Sequence, residues 1–151
     1  MILISACLMG SFCRFDGGTN LISDIDPYQN NFIPCCPEQL GGLATPRPAA
    51  EIVGGDAYDV LNGRAKIVTV DGNDVTEAFV LGANKTLALA KKHHVKIAIL
   101  KENSPSCGSS HIYDGSFTGQ KITGVGLTTA LLQTNGIDVY SEKNFPQSLI
   151  K

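Results

Sequence analysis

Short apolar runs alternate with helical stretches along this chain, and that order restricts the folds open to it. Met1–Ala6 is an apolar, β-branched run suited to a buried strand. Asn31–Cys35, with Phe32 and Ile33, is a second. Ala65–Val70 alternates weakly around Ile67, Val68 and Val70, and Val95–Lys101 (V-K-I-A-I-L-K) is the clearest strand of all. Asp138–Ser141 is a short last one. Asp74, three residues before Glu77, has the spacing of a capping box and predicts a helix start. Phe79, Ala83, Leu87 and Ala90 then share one helical face. The helix closes on Lys91-Lys92-His93-His94, cations that suit the negative end of its dipole. Gly126–Thr134 predicts another helix, stopped by Asn135-Gly136. A weaker one is expected within Leu21–Asn30, interrupted by Pro27. The stretch from Gly41 to Gly63 reads as a long loop, and loops of that length are often functional. Asn62-Gly63 and Asp71-Gly72 mark turns.

Strands alternating with helices predict an α/β fold with a mostly parallel sheet and flanking helices, a Rossmann-like three-layer arrangement. At 151 residues the chain suits one domain, 1–151, with a sizeable core. Twelve Lys+Arg against fourteen Asp+Glu leave a net charge of −2, so no basic surplus argues for nucleic acid. The longest apolar runs, such as Ile97–Leu100, fall far short of the ~20 residues that cross a bilayer. Met1–Ser5 lacks the positive start of a signal peptide, which predicts a cytoplasmic protein. The oligomeric state is not legible.

Five cysteines without a secretion signal do not read as a disulfide framework. Cys7 follows the first strand directly and Cys36 the second. Cys107 lies in the turn after Val95–Lys101. Ligands of open α/β sheets bind at the carboxyl ends of strands, so these three thiols are expected at one sheet edge, around one cofactor site. Three thiolates leave one open position, on a zinc ion or on one iron of a four-iron cluster. Cys13, six residues beyond Cys7, is either a spare ligand or a packed thiol. Cys35 points to the opposite face from Cys36 and reads as core. Glu38, two residues from a ligand thiol, is an acid/base candidate. Ser104 is either a participant or a turn cap. Arg14 and Arg47 stand in Gly/Pro-rich loops that suit anion or carbonyl anchors. His93 and His94 read as exposed helix-end residues, and His111 carries no assigned role.

Three segments carry a resemblance. They are Ser5-Ala6-Cys7-Leu8-x-Gly10-x-x-Cys13-Arg14-Phe15-Asp16-Gly17-Gly18, then Cys36-Pro37-Glu38-Gln39-Leu40-Gly41-Gly42 continuing through Thr45-Pro46-Arg47-Pro48-x-x-Glu51, and Ser104-Pro105-Ser106-Cys107-Gly108 followed by Ile112-Tyr113-Asp114-Gly115-x-Phe117. Together they resemble the thiouracil desulfidase family along nearly the whole chain. The resemblance implies a [4Fe–4S] cluster on three cysteines, carried here to Cys7, Cys36 and Cys107, with Cys13 also matching a family cysteine. It implies a cluster prone to loss in air. It further implies that the fourth iron takes the sulfur of a small thiolated base, with Glu38 and Ser104 assisting hydrolysis without net redox change. Cys13, Arg14, Asp16 and Arg47 are then the candidate substrate contacts. The alternative is a non-catalytic metal- or sulfide-binding protein with a structural three-thiolate site. A thiol redox protein ranks below both, because no CxxC is present and vicinal Cys35–Cys36 would close only a strained ring.

Overall fold

The computed structural model describes residues 1–22 and 31–150. In chain order its strands are β1 (Ile2–Ser5), β2 (Phe32–Cys35), β3 (Ala50–Val53), β4 (Lys66–Thr69), β5 (Ile97–Leu100), β6 (His111–Tyr113), β7 (Lys121–Thr123) and β8 (Asp138–Ser141). Its α-helices are α1 (Pro37–Leu40), α2 (Ala57–Leu61), α3 (Thr76–Lys92) and α4 (Leu127–Thr134). The helix expected within Leu21–Asn30 lies, but for Leu21 and Ile22, outside the described residues.

The fold is α/β. Four strands form a wholly parallel sheet in the order β2-β1-β5-β8. The period of two divides each strand between two cores. Ile2, Ile4, Phe32 and Ile99 meet Leu8, Cys13 and Phe145 on one face. Leu3, Ala98 and Leu100 meet Ala90 of α3 and Leu132 of α4 on the other. The first face is covered by the 3-10 turn Ala6–Met9, the segment that follows it, and the C-terminal turn.

Three expectations change. The run Ala65–Val70 contains β4, but β4 pairs antiparallel with β3 in a separate ribbon rather than joining the main sheet. Its partner lies inside the stretch read as loop from Gly41 to Gly63, which holds both β3 and α2. Glycine-rich flanks hid a four-residue strand whose inward members, Ile52 and Glu51, are too few to show a period. Asp74 is also not the N-cap of α3. That position is Val75, and Asp74 Oδ1 instead accepts from the Thr76 N–H at 2.9 Å and Thr76 Oγ1 at 2.6 Å, a turn one residue earlier. The hydroxyl of Thr76 receives the Ile67 N–H at 2.9 Å, so the helix entry is tied to β4 instead of being closed by a capping box.

One helix crossing positions the site. α1 lies across α3 so closely that a Cβ on Gly41 would strike the Ala78 carbonyl, and one on Gly82 would strike the Pro37 carbonyl. Glycine in mid-helix is unfavourable in itself, and here it permits the approach. Because α1 begins immediately after Cys36, this contact sets where Cys36 and Glu38 stand.

Candidate active site

A cavity of about 520 Å³ opens at the carboxyl ends of β1, β2 and β5. Cys7, Cys13, Cys35, Cys36 and Cys107 all line it, as do Glu38 and Ser104. The strand-end expectation thus places the three named thiols at one cavity. Cys7, Cys13, Cys35 and Cys107 are buried, and Cys36 is half-buried. Among the described residues, no three His, Cys, Asp or Glu side chains lie close enough to share a single metal ion.

The thiols fall into two groups. The Cys13 thiol lies in hydrogen-bond reach of both Cys7 and Cys36, sharing its proton between them, while Cys36 Sγ also meets the Cys13 carbonyl at 3.8 Å. The shared proton of Cys13 lowers the Cys7 thiol to about 7 against the opposing effect of burial, and lowers Cys36 to about 6. Asn20 Nδ2 donates to Cys7 Sγ at 3.4 Å and adds to the lowering. Cys13 itself is pushed up, first by holding its proton for Cys36 and then for Cys7. Cys35 and Cys107 belong to the helix-side core. Burial pushes Cys35 up to about 12, and pushes Cys107 well above the ordinary thiol range, with the charges of Cys36 and Glu38 adding to it. Cys35 therefore sits on the face that strand alternation assigned to it, and Thr86 of α3 hydrogen-bonds it.

Two loops frame the cavity. In the first, Glu38 is half-buried beside Arg47, with Oε1 3.3 Å from Arg47 Nε. Burial raises the Glu38 carboxyl, and the guanidinium opposes that only in part. Arg47 is heavily committed: Nη2 donates to the Cys13 carbonyl at 2.9 Å, and Nη1 to Ala44 O at 3.2 Å and Thr45 Oγ1 at 3.0 Å. It lines the cavity and welds the Cys13 segment to the Glu38 segment.

In the second loop, Ser104 Oγ accepts from the N–H groups of Ser106, at 3.0 Å, and Cys107, at 3.1 Å. It therefore caps the turn, and its own proton stays available at the cavity. The loop in turn closes the start of α4. Leu127 N–H donates to Pro105 O and Thr128 N–H to Ser106 O, each at 2.8 Å, while Thr129 Oγ1 donates to Cys107 O at 2.8 Å. The helix's first amides are thus satisfied by loop carbonyls, with no side-chain cap.

The sequence family whose model matches residues 2–144 is described as 2-thiouracil desulfurase. The chain belongs to the 2-thiouracil desulfurase family. It is 54% identical over 144 residues to the uncharacterized protein YbbK of Bacillus subtilis (strain 168), covering 94% of this chain and 95% of YbbK. It is also similar to the solved structure of TudS, a [4Fe-4S]-dependent thiouracil desulfidase, with 41% identity and a TM-score of 0.84 over 97% of this chain and 93% of that one.

Within this family member, not every expected contact reaches the cavity. Arg14 lines it, but its guanidinium is spent on Asp16 Oδ2 at 2.8 Å and Asn20 Oδ1 at 3.2 Å. Asp16 is outside the lining; it holds Arg14 and the Gly18 N–H. His111 is exposed and donates its backbone N–H to Glu102 at 3.1 Å. Several residues escape a reading of the sequence. Lys101 lines the cavity while its Nζ contacts Glu142 Oε2 at 3.0 Å. Ser5 Oγ accepts the Lys101 N–H at 2.9 Å and its hydroxyl hydrogen-bonds the Cys107 thiol. Glu102 Oε1 gathers the N–H groups of Ser109, Ser110 and His111 at 2.9, 2.9 and 3.1 Å. The one signal for Glu102 was a carboxylate placed directly after an apolar strand.

Proposed function

We propose that this protein is an enzyme that replaces the sulfur of a small thiolated base such as thiouracil with oxygen, by hydrolysis, using a [4Fe–4S] cluster held by Cys7, Cys36 and Cys107. Family membership and the likeness to TudS support the reaction class. The donor set fits the group: three thiols, one from each strand-end loop, border one cavity without the close grouping a single ion requires. Thiolates are the donors that iron–sulfur clusters take. When bound, the cluster supplies a thiophilic, Lewis-acidic iron.

The protein's own groups supply the rest. Glu38, half-buried in the cavity wall, takes the proton of the attacking water. Arg47 holds Glu38 in place while fixing the Cys13 carbonyl. Ser104, whose oxygen is occupied by two amides, donates its hydroxyl proton to water or base. Cys13 donates its S–H to the neighbouring sulfurs and stays off iron. Water provides the new oxygen and hydrosulfide leaves, so no electrons are transferred on balance. The observation that carries this reading is the convergence of three strand-end thiols and a half-buried, singly paired carboxylate on one cavity in a member of this family.

Anaerobic reconstitution with iron and sulfide counted per chain tests the cofactor. About four of each and an absorption band near ~400 nm are expected. One tightly held zinc and no band would leave the non-catalytic three-thiolate site in its place. Serine variants test the ligand set: Cys7→Ser, Cys36→Ser and Cys107→Ser should lose iron, and Cys13→Ser should keep it.

A further inference from the structure

The wall of the cavity away from the thiols is formed in part by the turn between β6 and β7, and its conformation is unusual. Phe117 has φ +58°, the left-handed region that a bulky aromatic rarely adopts. Glycine or asparagine is the ordinary occupant of such a position. Gly115, two residues earlier, is also left-handed at φ +90°, and a Cβ there would meet the Ile52 carbonyl of β3. The turn is pinned from beneath. Glu51 of β3, a buried carboxylate, accepts the Gly115 N–H at 2.9 Å and the Phe117 N–H at 3.3 Å through Oε1. Backbone strain of this kind persists only where its surroundings over-determine it, and it collects at functional sites. The consequence of the strain is visible: the half-buried ring of Phe117 lines the cavity that the thiols border.

We infer that Phe117 determines specificity by stacking on the planar ring of the substrate, and that Glu51 is its positioning residue. This rests on the desulfidase reading above and adds to it the group that selects a flat heterocycle over a thiolated compound of other shape. A phenyl face suits every pyrimidine or purine ring, because stacking requires a π-face and no particular hydrogen-bond pattern.

The test uses reconstituted holoenzyme, steady-state turnover of thiouracil, and equilibrium binding of uracil, which has the ring without the sulfur. Phe117→Gly relieves the left-handed strain, so its melting temperature should match or exceed that of the wild type, which excludes misfolding as the cause of any loss. KM for thiouracil and Kd for uracil should each rise about tenfold or more, with kcat changing far less. Phe117→Leu keeps bulk without a π-face and should behave like Phe117→Gly, whereas Phe117→Tyr should restore both constants. Glu51→Ala should raise KM as Phe117→Gly does, the double variant should be no worse than either, and Glu51→Gln, which keeps the accepting oxygen, should be near wild type. Turnover with KM and Kd unchanged in Phe117→Gly overturns the stacking role and leaves the desulfidase reading standing. No thiouracil turnover by the wild type, with uracil binding lost in Phe117→Gly, overturns the desulfidase reading and leaves the stacking role. Neither turnover nor uracil binding by the wild type overturns both.

Discussion

Glu38, half-buried in α1, and Glu102, buried in the loop after β5, both stand just beyond strands of the same sheet, yet they are satisfied in opposite ways. Burial pushes Glu102 up, but the amides of Ser110, His111, Ser109 and Asn103 outweigh it and hold the carboxyl below its ordinary range. Glu38 has one charged partner, Arg47, and burial wins. A carboxylate whose lone pairs are filled by backbone amides is committed to holding a loop together. One left with a single side-chain donor beside a cavity keeps the capacity to take a proton. The difference is why we propose a chemical role for Glu38 and a structural one for Glu102.

The largest effect that would break this contrast is on turnover. Glu38→Gln keeps the shape and the accepting oxygen for Arg47 but removes the base. Thiouracil turnover by the reconstituted enzyme should fall by about 10²–10⁴-fold. Iron content and urea-unfolding stability should stay near wild type. Retained activity with a full cluster would remove Glu38 from the chemistry.

Glu102→Ala should show the reverse profile. Three short amide donors lose their acceptor, each costing about 1–3 kcal/mol when left buried. A stability loss of at least ~3 kcal/mol is expected by urea denaturation, with faster amide exchange at Ser109–His111. If stability is unaltered, the loop is held by its bonds to α4 instead.

Gly82→Ala sharpens the comparison from the other loop, because α1 must shift to admit the methyl. Overpacking of this kind costs about 1–3 kcal/mol. Movement of Cys36 and Glu38 should reduce turnover beyond the stability loss, whereas Ala at the neighbouring exposed Leu81 should do neither.

The smallest effect is on pH. Glu102 has a folded pKa below its unfolded value of ~4.3. Its contribution is therefore complete above that value and is lost as pH falls through the lower folded one. Thermal stability should drop more steeply between pH ~4 and 3 in the wild type than in Glu102→Gln. Equal slopes would mean that the amides do not lower this carboxyl.

Much of this was legible in the chain. The runs Met1–Ala6, Asn31–Cys35, Val95–Lys101 and Asp138–Ser141 each hold a strand of the parallel sheet; the first and third are largely apolar because both faces of that sheet are covered, while the edge run Asp138–Ser141 is only half apolar. Strand-end placement brought Cys7, Cys36 and Cys107 to one cavity, and alternation sent Cys35 to the helix side. β4 was legible within Ala65–Val70, but its antiparallel partner β3 and the β6–β7 ribbon were not. Those strands of three or four residues are too short for a period to emerge, and β7 is exposed throughout.

Chain order and hydrophobic periodicity, which are local properties, were enough to place the four parallel strands, the helices α3 and α4, and the strand ends that carry thiols. What each polar side chain holds was settled by the fold. Arg47 and Arg14 turned inward to carbonyls and carboxylates, Asp16 stayed off the cavity, and Glu51 and Glu102 became the acceptors that shape two loops. A buried polar group takes the partner that folding brings to it, here across 64 residues between Glu51 and Gly115 and 96 between Ser5 and Lys101. No pattern along the chain encodes that meeting.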